Sequence, residues 1–293
     1  MKSPGARSLL DRMRRDSKDR LQSGPVEGTS TQGTELRRVR RQARALRGEL
    51  KAVRRKLREA RQEIREGTVP TPPHVEEVIA QVREENLTFL RKPNLRDLAA
   101  VVLDVERNGV PGMIIEAGTA RGGSAVVIAA AKAQQRVMRV YDVFDMIPPP
   151  TERDGPDVHR RFERIKTGQA EGIGGDQYYG YRQDLLGEVA DSFARLGVPT
   201  AENSVQLIKG LFQDTLDVDG PVAFAHLDGD WYESTLTCLQ RIAPMISPGG
   251  RIVLDDYYAW SGCRTAVDEY FSSRSDFQLE FRAKAHAIRI QDA

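Results

Sequence analysis

The sequence lacks most features that would place a chain outside the cell or across a membrane. Only two cysteines, Cys238 and Cys263, occur in 293 residues. They are too few for a disulfide framework and have no metal-ligand spacing, so they read as reduced thiols. No run of about 18 apolar residues exists, which excludes a membrane-spanning helix. The opening MKSPGARSLLDRMRRDSKDR has no apolar core of a secretory signal, and the expectation is a cytoplasmic protein, at most peripheral to a membrane. Aromatic residues are scarce at 6%. None interleaves the arginines between Glu35 and Glu66, which counts against single-stranded nucleic acid.

What the sequence has is charge, unevenly placed. The formal net charge is +2, yet residues 1–67 hold 20 Lys/Arg against 9 Asp/Glu and carry +11, leaving −9 on the rest. Such asymmetry marks two regions with different partners. Residues 1–33 are polar and punctuated by Gly, Ser, Pro and Thr, the composition of a disordered tail. Over residues 34–67, Leu36, Val39, Ala43, Leu46, Leu50, Val53, Leu57, Ala60 and Ile64 recur at spacings of three and four, the pattern of an Arg-rich coiled-coil helix. Its basic surplus repels a parallel copy, and Ala43 and Ala60 thin the seam. Three partners stay open: a second copy, giving a homo-oligomer; an acidic surface; and nucleic acid or anionic lipid, with nucleic acid the poorest fit.

A Pro-rich linker at 68–73 ends the helix, because proline has no N–H and clashes with the preceding turn. The remaining domain, 74–293, opens with helical periodicity at 74–92 and 94–108. Short apolar runs follow at Gly112–Ala117, Val137–Val143, Val205–Lys209, Val222–Asp228 and Arg251–Asp255. Helical patterns near 123–134, 184–196, 231–246 and 263–273 separate most of them. Strands alternating with helices predict an α/β fold with a doubly wound, mostly parallel sheet. Phe277–Arg282 and His286–Ile290 predict an antiparallel hairpin at its edge. Residues 146–182 interrupt the rhythm. They form a long polar insertion with Arg160, Arg161, Arg164, Tyr178, Tyr179, Tyr181 and a short helix at 157–166, which reads as a lid.

Candidate chemistry lies at the strand ends. The first strand passes from Glu116 through Gly118-Thr119-Ala-Arg121-Gly122-Gly123-Ser124 into a helix. Its glycines allow a tight turn and close approach by a ligand or another backbone. The spacing is not the G-x-G-x-x-G of dinucleotide folds. Asp142, ending the second strand, is placed to accept hydrogen bonds from ribose hydroxyls. The fourth strand ends in His226-Leu-Asp228-Gly-Asp230, and the fifth in Asp255-Asp256. Neighbouring parallel strands ending this way bring Asp228, Asp255 and Asp256 together at the carboxyl edge of the sheet. Carboxylates that close repel unless protons or a cation separate them, and an all-oxygen set suits a hard ion such as Mg²⁺. On spacing alone, solvated loop acids and a helix cap are an equal reading. His226 by itself reads as a satisfied core residue.

Four ordered motifs carry a resemblance: EAGTARGGSA (Glu116–Ala125), IKGLFQDTL (Ile208–Leu216), HLDGDWYEST (His226–Thr235) and LDDYYAWSGCRTAVDEYF (Leu254–Phe271). Together they resemble the macrocin O-methyltransferase family, whose members methylate sugar hydroxyls on macrolide and aminocoumarin antibiotics. The resemblance spans roughly residues 74–290. It implies a class I S-adenosylmethionine (SAM) fold with a seven-stranded sheet and a bound Mg²⁺. By that resemblance Glu116–Ser124 wrap the methionine part of SAM, Asp142 holds the ribose, and Gly210–Phe212 lie by the adenine. Asp228, Asp255 and Asp256 match the metal-binding acids, and Asp228 or Asp230 is the base. The basic arm and the 146–182 insertion depart from the family pattern. The acceptor is therefore open between a sugar of a natural product or glycan and a catechol-like small-molecule diol. A nicotinamide-dependent oxidoreductase needs the absent glycine spacing. A non-catalytic scaffold leaves the intact acids without a use.

Overall fold

The structure, a computed structural model, describes residues 70–290. The described residues belong to one compact unit. The expected disordered tail (1–33), heptad helix (34–67) and start of the linker lie outside the described residues.

Helices α1 (Pro73–Glu84) and α2 (Lys92–Arg107) each take a proline in their first turn, where its missing N–H costs nothing. Val75, Ile79 and Val82 of α1, and Leu95, Ala99 and Val102 of α2, are wholly buried, at the three- and four-residue spacings of one helix face. The helix expected over 74–92 stops at Glu84 because Asn86 adopts a left-handed conformation (φ 54°). From there the chain alternates β1 (Met113–Ala117), α3 (Gly123–Ala131), β2 (Met138–Asp142), α4 (Pro156–Lys166), α5 (Leu185–Arg195) and β3 (Val205–Lys209). It continues through α6 (Phe212–Thr215), β4 (Val222–Leu227), α7 (Tyr232–Ile242), β5 (Ile246–Leu254), α8 (Ser261–Phe271), β6 (Phe277–Phe281) and β7 (Ala285–Arg289).

The seven strands form one sheet in the order β3-β2-β1-β4-β5-β7-β6. β1 to β5 pair in parallel, while β7 runs antiparallel to both β5 and β6. The expected hairpin is therefore the sheet edge. β5 starts earlier than the sequence suggests. Pro248-Gly-Gly reads as a turn, but here it sits in an irregular stretch where pairing jumps from Val222–Ile246 to Phe224–Arg251. One core contains residues of α1, α2, α3 and α5. A second contains residues of α6, α7 and α8. The strand order reverses at β1: β2 and β3 lie on one side and β4 and β5 on the other. In open α/β sheets that reversal leaves a crevice at the carboxyl ends of the strands.

The 146–182 insertion is firmly tied down. The Tyr232 N–H donates to Asp154 Oδ1 at 2.8 Å, the Ser261 N–H donates to Asp157 Oδ2 at 2.9 Å, and Trp231 Nε1 donates to the Pro148 carbonyl at 3.0 Å. No described helix is long and apolar enough to cross a membrane.

Candidate active site

The ends of β1 and β4 meet at Gly118. With φ 88°, a Cβ there would lie 1.9 Å from the Asp228 carbonyl oxygen, so no other residue permits this approach. The next two amides, of Thr119 and Ala120, donate to Asp142 Oδ2 at 2.7 and 3.0 Å, and the Phe144 amide donates to Oδ1 at 2.7 Å. Burial raises the Asp142 pKa, and these three amides oppose the rise. The carboxylate thus fastens the end of β2 to the loop after β1. The Gly210 amide donates to the Asp142 carbonyl at 2.9 Å, which brings the β3 end to the same edge.

Beside this loop lie the acids. Asp228, Asp255 and Asp256 each offer a carboxylate oxygen within 4.8 Å of the other two. Burial, together with Asp255 and Asp256, pushes the Asp228 pKa well above the ordinary carboxylate range. Burial and Asp255 lift that of Asp256 to about 6. Asp230 takes a left-handed backbone conformation (φ 56°) that points its amide to Asp256 Oδ2 at 3.1 Å. Its own Oδ1 accepts the indole N–H of Trp260 at 3.0 Å. Burial and Asp256 raise the Asp230 pKa, while Trp260 and Arg161 oppose the rise.

Asp255 behaves differently. Burial raises its pKa, but His226 and Lys284 more than compensate and hold it below the ordinary range. Lys284 Nζ lies 2.6 Å from its Oδ2. His226 Nε2 lies 3.4 Å from its Oδ1, and His226 Nδ1 lies 2.8 Å from Glu116 Oε1. Glu116, His226, Asp255 and Lys284 thus form a line across the carboxyl half of the sheet.

A cavity of about 530 Å³ opens above these groups, within the range of small-molecule sites. Of the candidate residues, Gly118, Thr119, Asp142, Gly210, Phe212, Asp228, Asp230, Asp255 and Asp256 line it. Glu116, Arg121, Gly122, Gly123 and Ser124 do not. Glu116 faces His226 inside the sheet. Gly122 packs on Val189, and a Cβ on Gly123 would lie 2.6 Å from the Leu87 carbonyl, so these glycines admit protein rather than ligand. Arg121 bonds the Asn86 carbonyl and Asp176. Ser124 is buried in α3. Trp231, Trp260, Tyr178, Arg161 and Arg164 also line the cavity. The tryptophans lie inside or beside the acidic motifs, which was the available signal.

Reversed strand order, a glycine turn after β1, an acid ending β2 and a cavity at the carboxyl edge together define a class I SAM-dependent methyltransferase. Residues 84–278 match the model of the macrocin-O-methyltransferase (TylF) family, and the chain belongs to that family. It is a SAM-dependent O-methyltransferase. It is 33% identical over 189 residues to the 8-demethyl-8-(2,3-dimethoxy-alpha-L-rhamnosyl)-tetracenomycin-C 4'-O-methyltransferase of Streptomyces olivaceus, covering 62% of this chain and 67% of that one. It is 32% identical over 196 residues to the demethyldecarbamoylnovobiocin O-methyltransferase of Streptomyces niveus, again covering 62% and 67%. The solved O-methyltransferase NovP superposes with a TM-score of 0.59 at 26% identity, covering 72% of this chain and 88% of NovP.

Proposed function

We propose that the protein methylates a hydroxyl of a sugar, with a divalent cation at Asp228, Asp255 and Asp256 and with Asp230 as the base. The convergence of three carboxylates, Asp256 buried and Asp228 and Asp255 partly so, on one cavity wall carries this reading. Burial, and then the neighbouring acids, raise the pKa values of Asp228 and Asp256, a cost that a hard cation relieves, and an all-oxygen donor set fits Mg²⁺. When bound, Mg²⁺ neutralises these acids and makes a coordinated hydroxyl more acidic. For SAM, the structure offers the Gly118–Ala120 turn, Asp142 and the Gly210–Phe212 stretch along one side of the same cavity. Names of the family and relatives support a sugar acceptor.

Of the two candidate bases, Asp230 is the one we favour. Asp228 is spent in the three-acid cluster. Asp230 stands beside it, with Oδ1 held by Trp260 and Oδ2 without a hydrogen-bond partner among the described residues. Asp230 Oδ2 takes the acceptor proton while the hydroxyl oxygen bonds to the methyl carbon. The carbon–sulphur bond breaks with its electron pair on sulphur, leaving S-adenosylhomocysteine. Trp231 and Trp260, with ring centroids 5.8 Å apart, line the cavity beside Asp230 and keep that wall apolar. Alignment and charge neutralisation supply most of the rate in such a displacement. The test is Asp228→Asn: transfer is lost while SAM still binds, and undiminished turnover would sink the reading. The heptad segment 34–67 is assigned to self-association, separate from the chemistry.

A further inference from the structure

The insertion that lines the cavity carries two arginines with neither a salt bridge nor a side-chain hydrogen bond among the described residues. Arg161 and Arg164 both line the cavity. They share one face of α4 with Ile165, which is 1% exposed, because positions i, i+3 and i+4 stack on a helix. Arg160, the third arginine of α4, is exposed and does not line the cavity, while Arg153 and Arg182 of the insertion are paired. Arg153 lies 2.7 Å from Glu269, and Arg182 lies 2.6 Å from Glu188. Among the described residues neither Arg161 nor Arg164 has a carboxylate within 4.0 Å or donates a hydrogen bond. The Arg161 guanidinium lies over the Tyr178 ring, 5.4 Å from its centroid, and Tyr178 is itself buried. The helix beneath is pinned to α8 through Asp157 and Ser261. Two forks of N–H donors thus border a cavity whose acids a cation would neutralise. Paired guanidinium forks match phosphate and carboxylate oxygens, and Arg is used where that match matters.

We propose that Arg161 and Arg164 form an anion subsite, and that the sugar acceptor carries a phosphate or carboxylate group. This rests on the sugar-methylation reading and narrows it: a neutral glycoside leaves both guanidiniums unused.

The test uses the full chain saturated with S-adenosylhomocysteine and Mg²⁺. Glucose 1-phosphate, glucuronate and neutral methyl glucoside are compared as probes by ligand-observed NMR titration. At least one anionic probe binds tenfold or more tightly than methyl glucoside, and the two anionic arms tell phosphate from carboxylate. In the Arg161→Gln/Arg164→Gln double variant that advantage disappears while S-adenosylhomocysteine affinity is unchanged. Equal binding of all three probes by the unaltered protein overturns the proposal, as does an advantage that survives the double substitution. A fall in S-adenosylhomocysteine affinity also overturns it, by assigning the arginines to the SAM carboxylate. Failure of the sugar-methylation reading is seen separately, as turnover that persists in Asp228→Asn.

Discussion

Nδ1 of His226 lies 2.8 Å from Oε1 of Glu116, its register partner on the adjoining strand, with both side chains wholly buried. Burial opposes charge on the imidazole. The hydrogen bonds to Asp255 and Glu116 outweigh it, and the His226 pKa rises from 6.5 to about 9. A raised folded-state pKa gives a contribution complete below about pH 6.5 and lost as pH climbs through 9, on the order of 3 kcal/mol. Urea unfolding of chelator-treated protein should therefore show stability falling between pH 6.5 and 9.5. The fall should be shallower in Glu116→Gln. A flat profile in the unaltered protein contradicts a charged His226.

Asp230 and its neighbours should separate by assay. Asp230→Asn is expected to lower kcat by about 10²–10⁴-fold, the usual worth of a general base, with Mn²⁺ affinity unchanged. Asp228→Asn and Asp256→Asn should each weaken Mn²⁺ binding at least tenfold. Isothermal titration beside turnover assays decides it, and weak Mn²⁺ binding in Asp230→Asn would make that residue a ligand.

Gly118→Ala should destabilise the domain even though it adds one methyl group. The new Cβ collides with the Asp228 carbonyl at a positive φ, a strain of about 1–3 kcal/mol before any shift of the strands. Thermal unfolding measures the loss. Gly109→Ala, also at positive φ but with nothing within 4 Å, is the control and should cost less.

The heptad seam is tested in the full chain. Leu46→Asp/Leu50→Asp places two charges in the apolar stripe and should halve the molar mass measured by light scattering, with turnover per chain preserved. A monomeric unaltered protein would remove the self-association assignment.

Strand positions are legible in the sequence because short Val- and Ile-rich runs between helical patterns have few other uses. The acids are legible for a related reason: Asp228, Asp255 and Asp256 end neighbouring strands, so topology alone brings them together. Glu116 shows where this stops. Its motif assigns it to the cosubstrate loop, but its side chain points to His226, 110 residues away, and only strand register reveals the pair. Gly122 and Gly123 mark a close approach without saying to what. The answer is Val189 and Leu87, side chain and backbone from distant segments. Arg161 and Arg164 are legible in the sequence only as part of a lid; that they and not Arg160 line the cavity follows from how the insertion is pinned.

The anchoring of residues 146–182 separates two jobs within one wall. The groups assigned to proton and methyl transfer end strands β1, β2, β4 and β5, where any shift disturbs the whole sheet. Ile147, Pro148, Arg161, Arg164, Tyr178 and Tyr179 come from the insertion, which is anchored to the starts of α7 and α8 rather than to the strands. On the proposed reading acceptor preference becomes a transplantable trait: grafting this segment onto a relative's sheet is expected to carry the taste for an anionic substrate with it and leave the chemistry where it was.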